Sequence, residues 1–349
     1  MFEAATQILI YKIVLTTVIL LFCIGKAFTK ETRSGSIMPF LLSLFCILFI
    51  GWREWKADEF VDSIRYGYSY LYNYQTLDPS DIKDLSFGIF SYLCYALGIH
   101  VDLYFVLCTC LYILPLLLVV KRIDDTRKTF FFLMIIASMS FFDYGVNIVR
   151  NGIASSFLLL SFVYSKRLAV ALPITILAIG FHKSLLLPAL IFIAVNYYNK
   201  PKLFLCFWLL SIPASFVISS IFQEYILQFN FISDRMGQYA EGAADNDLFS
   251  RTGFRWDFLI YGAIPIVIGY YYTLRRKLED NLYTLLLSTY TLTNAIWVII
   301  NEIQYSNRFA YLSWFLMPIL ILYPIVKFEN KRKQALTLFL YYTITMILW

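Results

Sequence analysis

Charge is scarce in this chain. Only 15% of its 349 residues are Asp, Glu, Lys or Arg, and 60% are hydrophobic. Soluble globular domains carry about 25% charged and about 45–50% apolar residues, so the shortage excludes an ordinary soluble fold. Histidine is nearly missing, with His100 and His182 the only two. The six cysteines (Cys23, Cys46, Cys94, Cys108, Cys110 and Cys206) fall inside apolar runs and make no C-x-x-C pair. They read as small apolar filler, not as metal ligands or disulfide partners. The sequence has no G-x-x-x-x-G-K-[ST], no G-x-S-x-G and no H-E-x-x-H. Their absence counts against an ATPase, an esterase of the α/β-hydrolase kind and a zincin. The net charge of +6 sits in short loops, so no nucleic-acid partner is expected.

What the chain does have is length of apolar run. Stretches of 15 to 20 hydrophobic residues recur from end to end, and that length crosses a hydrocarbon core of roughly 30 Å as a helix. Twenty-seven tyrosines, 32 phenylalanines and seven tryptophans suit aromatic belts at the membrane interfaces. The first run follows "MFEAATQ", without a basic leader region or a small-residue cleavage site, and reads as a retained span. Spans are expected near 8–25, 37–52, 101–120, 129–143, 147–164, 168–181, 184–198, 203–221, 257–274, 281–300, 309–326 and 335–349. The segment 85–99, "LSFGIFSYLCYALGI", is short and carries two glycines. The fold expected is an all-α polytopic membrane protein of about 12 transmembrane helices plus one re-entrant or interfacial segment, in a single membrane domain 1–349.

Basic residues choose the orientation. With the N-terminus outside and 85–99 not crossing, the inside loops hold 18 Lys and Arg and the outside loops ten, as the positive-inside rule prefers. Starting inside with 85–99 crossing balances almost as well, but exposes "KAFTKETR" and turns the acidic loop inward. In the preferred arrangement the two long loops, 53–84 and 222–256, both lie outside. The ten outer cations are Arg53, Lys56, Arg65, Lys83, Arg150, Lys183, Arg235, Arg251, Arg255 and Arg308, seven of them arginine, whereas lysine predominates inside. Arginine's planar fork suits bidentate phosphate or carboxylate contact, which points to an anionic ligand on the outer face.

Four polar interruptions carry the chemistry. In "FFDYGVNIVRNGIASSFLLL", Asn147, Arg150, Asn151 and Ala154 follow at i, i+3, i+4 and i+7, one face of a helix. Arg150 there reads either as a functional cation facing a wet cavity or as a snorkelling side chain. In "AIGFHKSLLLPALIF", His182 is either a structural hydrogen-bonder or a general base. In "NEIQYSNRFAYLSW", Asn301, Gln304 and Arg308 recur at i, i+3, i+7 beside Glu302 and Asn307. In "GWREWKADEFVDSIRYGYSYLYNYQ", Asp58, Glu59 and Asp62 follow Arg53. Tyr66, Tyr68, Tyr70, Tyr72 and Tyr74 then alternate, sharing one face if extended and wrapping round if helical. The Asp245–Asp247 "DND" resembles the metal triplet of nucleotide-sugar transferases, but it falls outside, where nucleotide sugars are absent.

Together these stretches resemble the EpsG-like, Wzy-type polysaccharide polymerases of bacteria. The likeness runs in order through "WREWKADEF", "SFGIFSYLCYALGI", "NIVRNGIA" (family N-x-I-R-Q-x-[IL]-A), "GFHKSLL" (family F-H-x-S) and "SNRFAYL". Asn151 stands where the family has glutamine, and Lys56-Ala57 where it has glycine-threonine. A fainter likeness is to the GT-C membrane glycosyltransferases, which carry an acidic pair on an outer loop comparable to Asp58-Glu59.

The resemblance implies transfer of a glycan from polyprenyl pyrophosphate to the non-reducing end of a lipid-linked repeat unit, in O-antigen, capsule or exopolysaccharide synthesis. It implies a bacterial inner membrane with the active site facing the periplasm or exterior, no cofactor, and a chain-length regulator as a further partner. Arg150 and Arg308, with Arg53 or Arg255 in support, would neutralise the leaving pyrophosphate. Asp58 or His182 would serve as base. Asn147, Asn151, Glu59 and Glu302 would complete the substrate contacts. The competing readings are a ligase of the O-antigen type using the same donor, and a lipid-linked oligosaccharide flippase. The flippase would want charge through the depth of several helices, not at one face.

Overall fold

The computed structural model describes residues 3–28, 37–72, 84–226, 254–302 and 307–348. Among them every regular element is helical. The expected residues Tyr74, Lys83, Arg235, Asp245, Asn246, Asp247, Arg251 and Gln304 lie outside the described residues. The chain packs as two compact units: Met1–Ala189 with Ile321–Trp349, and Leu190–Leu320.

The first unit opens with α1 (Ala4–Phe28) and α2 (Ile37–Gly51). A single 3₁₀ turn, Asp58–Phe60, leads into α3 (Val61–Tyr72), so Tyr66, Tyr68, Tyr70 and Tyr72 are helical and wrap their helix. Next come α4 (Leu85–Ala96), α5 (Val101–Ile123), α6 (Lys128–Ile136), α7 (Met139–Val146), α8 (Val149–Val163) and α9 (Leu168–Phe181). A 3₁₀ turn, Lys183–Leu185, then starts α10 (Leu186–Tyr197). The second unit takes α11 (Pro201–Ile226), α12 (Trp256–Tyr270, continued by a π turn Tyr271–Arg275), α13 (Asn281–Ile299) and α14 (Asn307–Trp314). The chain ends through α15 (Met317–Phe328) and α16 (Lys331–Leu348).

Among the described residues, six helical segments are long and apolar enough to cross a membrane: Ala4–Ala27, Val101–Ile123, Pro201–Ile218, Trp256–Arg275, Asn281–Ile299 and Arg308–Phe328. Their outward faces are oily. On α1, Leu9, Ile13, Leu20 and Ile24 form an exposed row at i, i+4, i+11 and i+15, a surface that hydrocarbon accepts and water does not. The chain is a polytopic helical membrane protein.

One expected span is broken. The run read as a single span over 129–143 is two helices, α6 and α7, bent by 72°. A break at membrane depth is tolerated where protein satisfies the freed backbone. Here the Thr345 hydroxyl donates to the Ala137 carbonyl at 2.8 Å, and Tyr11 donates to that of Ile136 at 3.3 Å. Tyr112 donates to the Phe141 carbonyl at 3.3 Å just beyond. Thr129–Ile136 and all of α7 except Asp143 are buried, so the bend is enclosed by protein.

The second unit is held by an aromatic core with a polar thread. Trp314 packs edge-on to Phe258, Tyr261 and Tyr311 at centroid distances of 5.0–5.5 Å. Beside it, the Trp208 indole donates to Asn294 Oδ1 at 2.8 Å, and Asn294 Nδ2 donates to Ser313 Oγ at 3.2 Å. Tyr290 donates to the Gly262 carbonyl at 2.8 Å.

Candidate functional site

Arg150 emerges from the first turn of α8. The turn that delivers it is fixed by Asp143: its carbonyl accepts from the amides of Asn147 and Ile148, both at 2.9 Å. Its carboxylate accepts from Asn147 Nδ2 at 3.0 Å. Asn147 therefore ends α7 and does not share the α8 face with Arg150, because the helix expected from 147 begins at Val149. Gly152 lets α8 lie directly on α7, since a β-carbon there would overlap the Tyr144 carbonyl oxygen.

The Arg150 guanidinium is met by Asp84, the residue that leads into α4. Nη1 donates to Asp84 Oδ2 at 2.6 Å, and Nε donates to the Tyr66 hydroxyl at 3.3 Å. The Tyr66 and Phe87 rings lie 5.5 and 6.0 Å from Cζ, in range for cation–π attraction. The other Asp84 oxygen, Oδ1, accepts the Lys183 backbone N–H at 3.2 Å. That amide belongs to the start of α10, where a helix terminus favours negative charge. The Asp84 side chain is 2% exposed and that of Arg150 is 25% exposed. So the carboxylate is sealed behind the cation, and the cation keeps an open edge. Among the described residues, Nη2 of Arg150 makes no hydrogen bond.

The arrangement joins three stretches that are far apart in sequence. α3 supplies Tyr66, the α4 entrance supplies Asp84, and "FHKS" supplies an amide. Gly180 makes the last approach possible, because a β-carbon there would overlap Ser86 Oγ at the start of α4. His182 is half-buried and extended at the N-cap of the 183–185 turn. Its Nδ1 accepts from the Ser184 amide at 3.2 Å and lies 2.8 Å from Ser184 Oγ.

The remaining expected residues divide. Arg53 is 1% exposed, with Nε on Ser63 Oγ at 2.9 Å, Nη1 on the Ile50 carbonyl at 3.1 Å and Nη2 on the Val146 carbonyl at 3.4 Å. Its guanidinium stacks on Phe105 at 4.2 Å. Burial pulls its pKa down to about 10, which still leaves it charged at neutral pH. This geometry makes Arg53 a tie between α2, α3 and α7, with its donors spent on the protein and not open to a ligand. Asn151 is likewise interior, accepting from Ser155 at 2.9 Å. Asp58 and Glu59 are exposed on the 3₁₀ turn. Asp62 sits one helical turn before Tyr66 and adds to the negative field at Arg150.

In the second unit, Arg255 holds Asp257 through two hydrogen bonds of 2.9 and 2.7 Å and stacks on Phe258 at 3.7 Å. Its amide donates to buried Asn301 at 3.2 Å. Arg308 lies half-buried in the first turn of α14, and Glu302 is half-buried just beyond α13.

Sequence reasoning missed Asp84 and Phe87, and gave Tyr66 only as one of a run of tyrosines. Asp84 left one signal: it is an acidic residue immediately before a weak apolar helix.

Helices that meet lipid, and a half-open arginine backed by a buried carboxylate, define a membrane protein able to hold an anionic group at one helix entrance. The sequence model of the EpsG family matches residues 36–349, and the chain belongs to that family, one of polysaccharide polymerase-type membrane proteins. Comparison with curated proteins gives no match. Comparison with solved structures gives none either.

Proposed function

We propose that this chain polymerises a polysaccharide, moving a growing glycan from polyprenyl pyrophosphate to the non-reducing-end hydroxyl of a lipid-linked repeat unit. The observation that carries the reading is Arg150. It is a cation at the mouth of an apolar bundle, oriented by Asp84 and Tyr66, with a donor edge left open. A pyrophosphate leaving group needs preorganised positive charge, and a fixed guanidinium supplies it without reorganisation. The donor is already activated by its pyrophosphate, so the reading calls for no nucleotide and no cofactor. The base is a carboxylate of the 58–62 region, which takes the proton of the attacking hydroxyl as the new glycosidic bond forms and the pyrophosphate departs.

Arg255, Arg308, Glu302, Glu59 and Asn147 belong to this reading as substrate contacts, each to be tested alone. Arg53 and Asn151 are assigned to holding the scaffold. We further infer twelve crossings, with 128–146 counted as one bent crossing and 85–99 re-entrant, in a GT-C-like arrangement. The 12 residues of α4 extend only about 18 Å, short of the roughly 30 Å core. The positive-inside balance supports an active site facing outward from the bacterial inner membrane. A chain-length regulator is the expected partner.

The test is a deletion strain, with surface glycan resolved by size and lipid-linked intermediates extracted. Single repeats at the surface without a ladder support the polymerase. Full-length polymer stranded on lipid would make the chain a ligase, and repeats trapped on the inner leaflet would make it a flippase.

A further inference from the structure

Tyr66 stands on the stripe of α3 between its buried and its open face. Ser63, Gly67 and Tyr70 are buried, Val61, Arg65, Tyr68 and Tyr72 are exposed, and Asp62 and Tyr66 run between them one turn apart. Ser63 Oγ donates to the Val146 carbonyl at 2.6 Å, fastening α3 to the end of α7 just ahead of Arg150. The Phe87 ring braces that of Tyr66 at a centroid distance of 5.8 Å. The phenol is thus held where it receives the Arg150 Nε–H.

That bond leaves the phenol half used. A guanidinium has no acceptor, so the Tyr66 oxygen gives a lone pair and keeps its own hydrogen. Among the described residues the hydroxyl makes no other hydrogen bond. The plane of the guanidinium decides what lies next to it. Nε–H and one Nη2–H point the same way, a fork whose two acceptors sit side by side. The chain shows this fork filled at Arg255, where Nε and Nη2 reach the two oxygens of Asp257 at 2.9 and 2.7 Å. At Arg150 the Nε half is taken by Tyr66, Nη1 is taken by Asp84, and the Nη2 half is open. An oxygen accepted there lies beside the Tyr66 oxygen, within reach of an O–H···O bond of roughly 2.5–3.0 Å.

We infer that the Tyr66 hydroxyl donates to the same anionic oxygen that Arg150 Nη2 holds, so that tyrosine and arginine form one paired seat for a pyrophosphate ester. Only the identity of the anion rests on the polymerase reading; the paired seat does not. One oxygen then receives two hydrogen bonds, one from a cation and one from a neutral group, and the two donors are already fixed to each other. Tyr66 keeps its proton in this role, and the proton of the attacking hydroxyl still passes to a carboxylate.

Two measurements on one protein test this. Full-length chain in a maltoside detergent carries 2,3-difluorotyrosine in place of Tyr66, inserted at that codon alone, so that ¹⁹F spectra follow the ionisation of this phenol. Fluorine brings the ionisation into a workable pH range and leaves the oxygen able to accept from Arg150 in either state. The titration is run with and without saturating inorganic pyrophosphate, with Arg150, Asp84 and Asp62 as charged neighbours in both. Pyrophosphate should raise the midpoint by about one pH unit or more, a tenfold preference for the protonated donor. An unmoved or lowered midpoint overturns the inference, whatever the enzyme makes. An equal rise with phosphatidylglycerol in place of pyrophosphate overturns the pyrophosphate assignment.

The second measurement separates donating from accepting. Above its midpoint the fluorinated phenolate still accepts from Arg150 but cannot donate. Polymerisation by this protein, relative to wild type at the same pH, should fall roughly 10²-fold as pH rises through the midpoint, the scale of a lost transition-state donor. A flat ratio, with the melting temperature near wild type, overturns the donor role and leaves Tyr66 only a support for Arg150. If deleting the gene leaves the surface ladder intact, the polymerase reading fails and the ¹⁹F result stands.

Discussion

Asp84 and Arg150, 66 residues apart, are joined Oδ2 to Nη1 at 2.6 Å, with the carboxylate buried and the guanidinium a quarter exposed. The asymmetry gives each partner a separate job. A carboxylate this deep does not meet a ligand; it holds the arginine's direction and, through Lys183, the place where α10 starts.

Replacing Arg150 therefore removes function before it removes fold. Arg150→Ala should abolish the glycan ladder while membrane abundance stays near wild type. Arg150→Lys should also fail, because an ammonium cannot reach Asp84, Tyr66 and a phosphate in one fixed geometry. Full rescue by lysine would mean that charge alone suffices. Asp84→Asn keeps the shape and loses the charge-assisted bond. It should lower polymerisation at least about tenfold, with double-mutant coupling to Arg150 on the order of 1–3 kcal/mol. Additive effects would show that the pair acts independently.

Arg53 makes the opposite prediction. Its side chain is closed off by Ser63, two carbonyls and Phe105. Arg53→Ala should cost on the order of 3 kcal/mol of stability, as hydrogen bonds from a charged group are lost inside. The check is a detergent melting curve alongside abundance. A stable, well-expressed Arg53→Ala protein without activity would return this residue to the ligand.

The proposed base is a carboxylate of the 58–62 region, and that region offers a choice. Asp62 is one turn from Tyr66, whose hydroxyl touches Arg150, while Asp58 stands on the exposed turn ahead of the helix. Asp62→Asn should reduce turnover roughly 10²–10⁴-fold and leave the melting temperature nearly unchanged. Its ion pair with the exposed Arg65 spans 3.5 Å, a kind worth little. If Asp58→Asn is the more damaging change, the base is Asp58.

The membrane class and most helix positions were legible because they depend on local composition and spacing. The bend at Ala137 was not, since the run over 129–143 is apolar throughout and the groups that tolerate a break, Tyr11 and Thr345, come from the two ends of the chain. Arg53 looked like Arg150 in sequence because both are interfacial arginines. Only packing distinguishes a guanidinium spent on carbonyls from one with an open edge. Asp84 was hidden for a related reason: its partners lie 66 and 99 residues away, and no periodicity connects them.

Gly180 offers a test of how the site is assembled. It sits at the end of α9, where a β-carbon would overlap Ser86 Oγ and come within 3.0 Å of Ser86 Cβ. That contact sets the separation between the α4 entrance, which carries Asp84, and the turn carrying His182 and Lys183. Gly180→Ala should push these apart and lengthen the Asp84–Lys183 contact of 3.2 Å. The overpacking should cost about 1–3 kcal/mol and lower polymerisation without touching any charged group. Gly180→Ala with Ser86→Gly removes both clashing atoms and should restore much of the activity and the melting temperature. Failure of the second substitution to rescue, with Gly180→Ala folded and inactive, would mean that the glycine acts through something other than the spacing of these two helix ends.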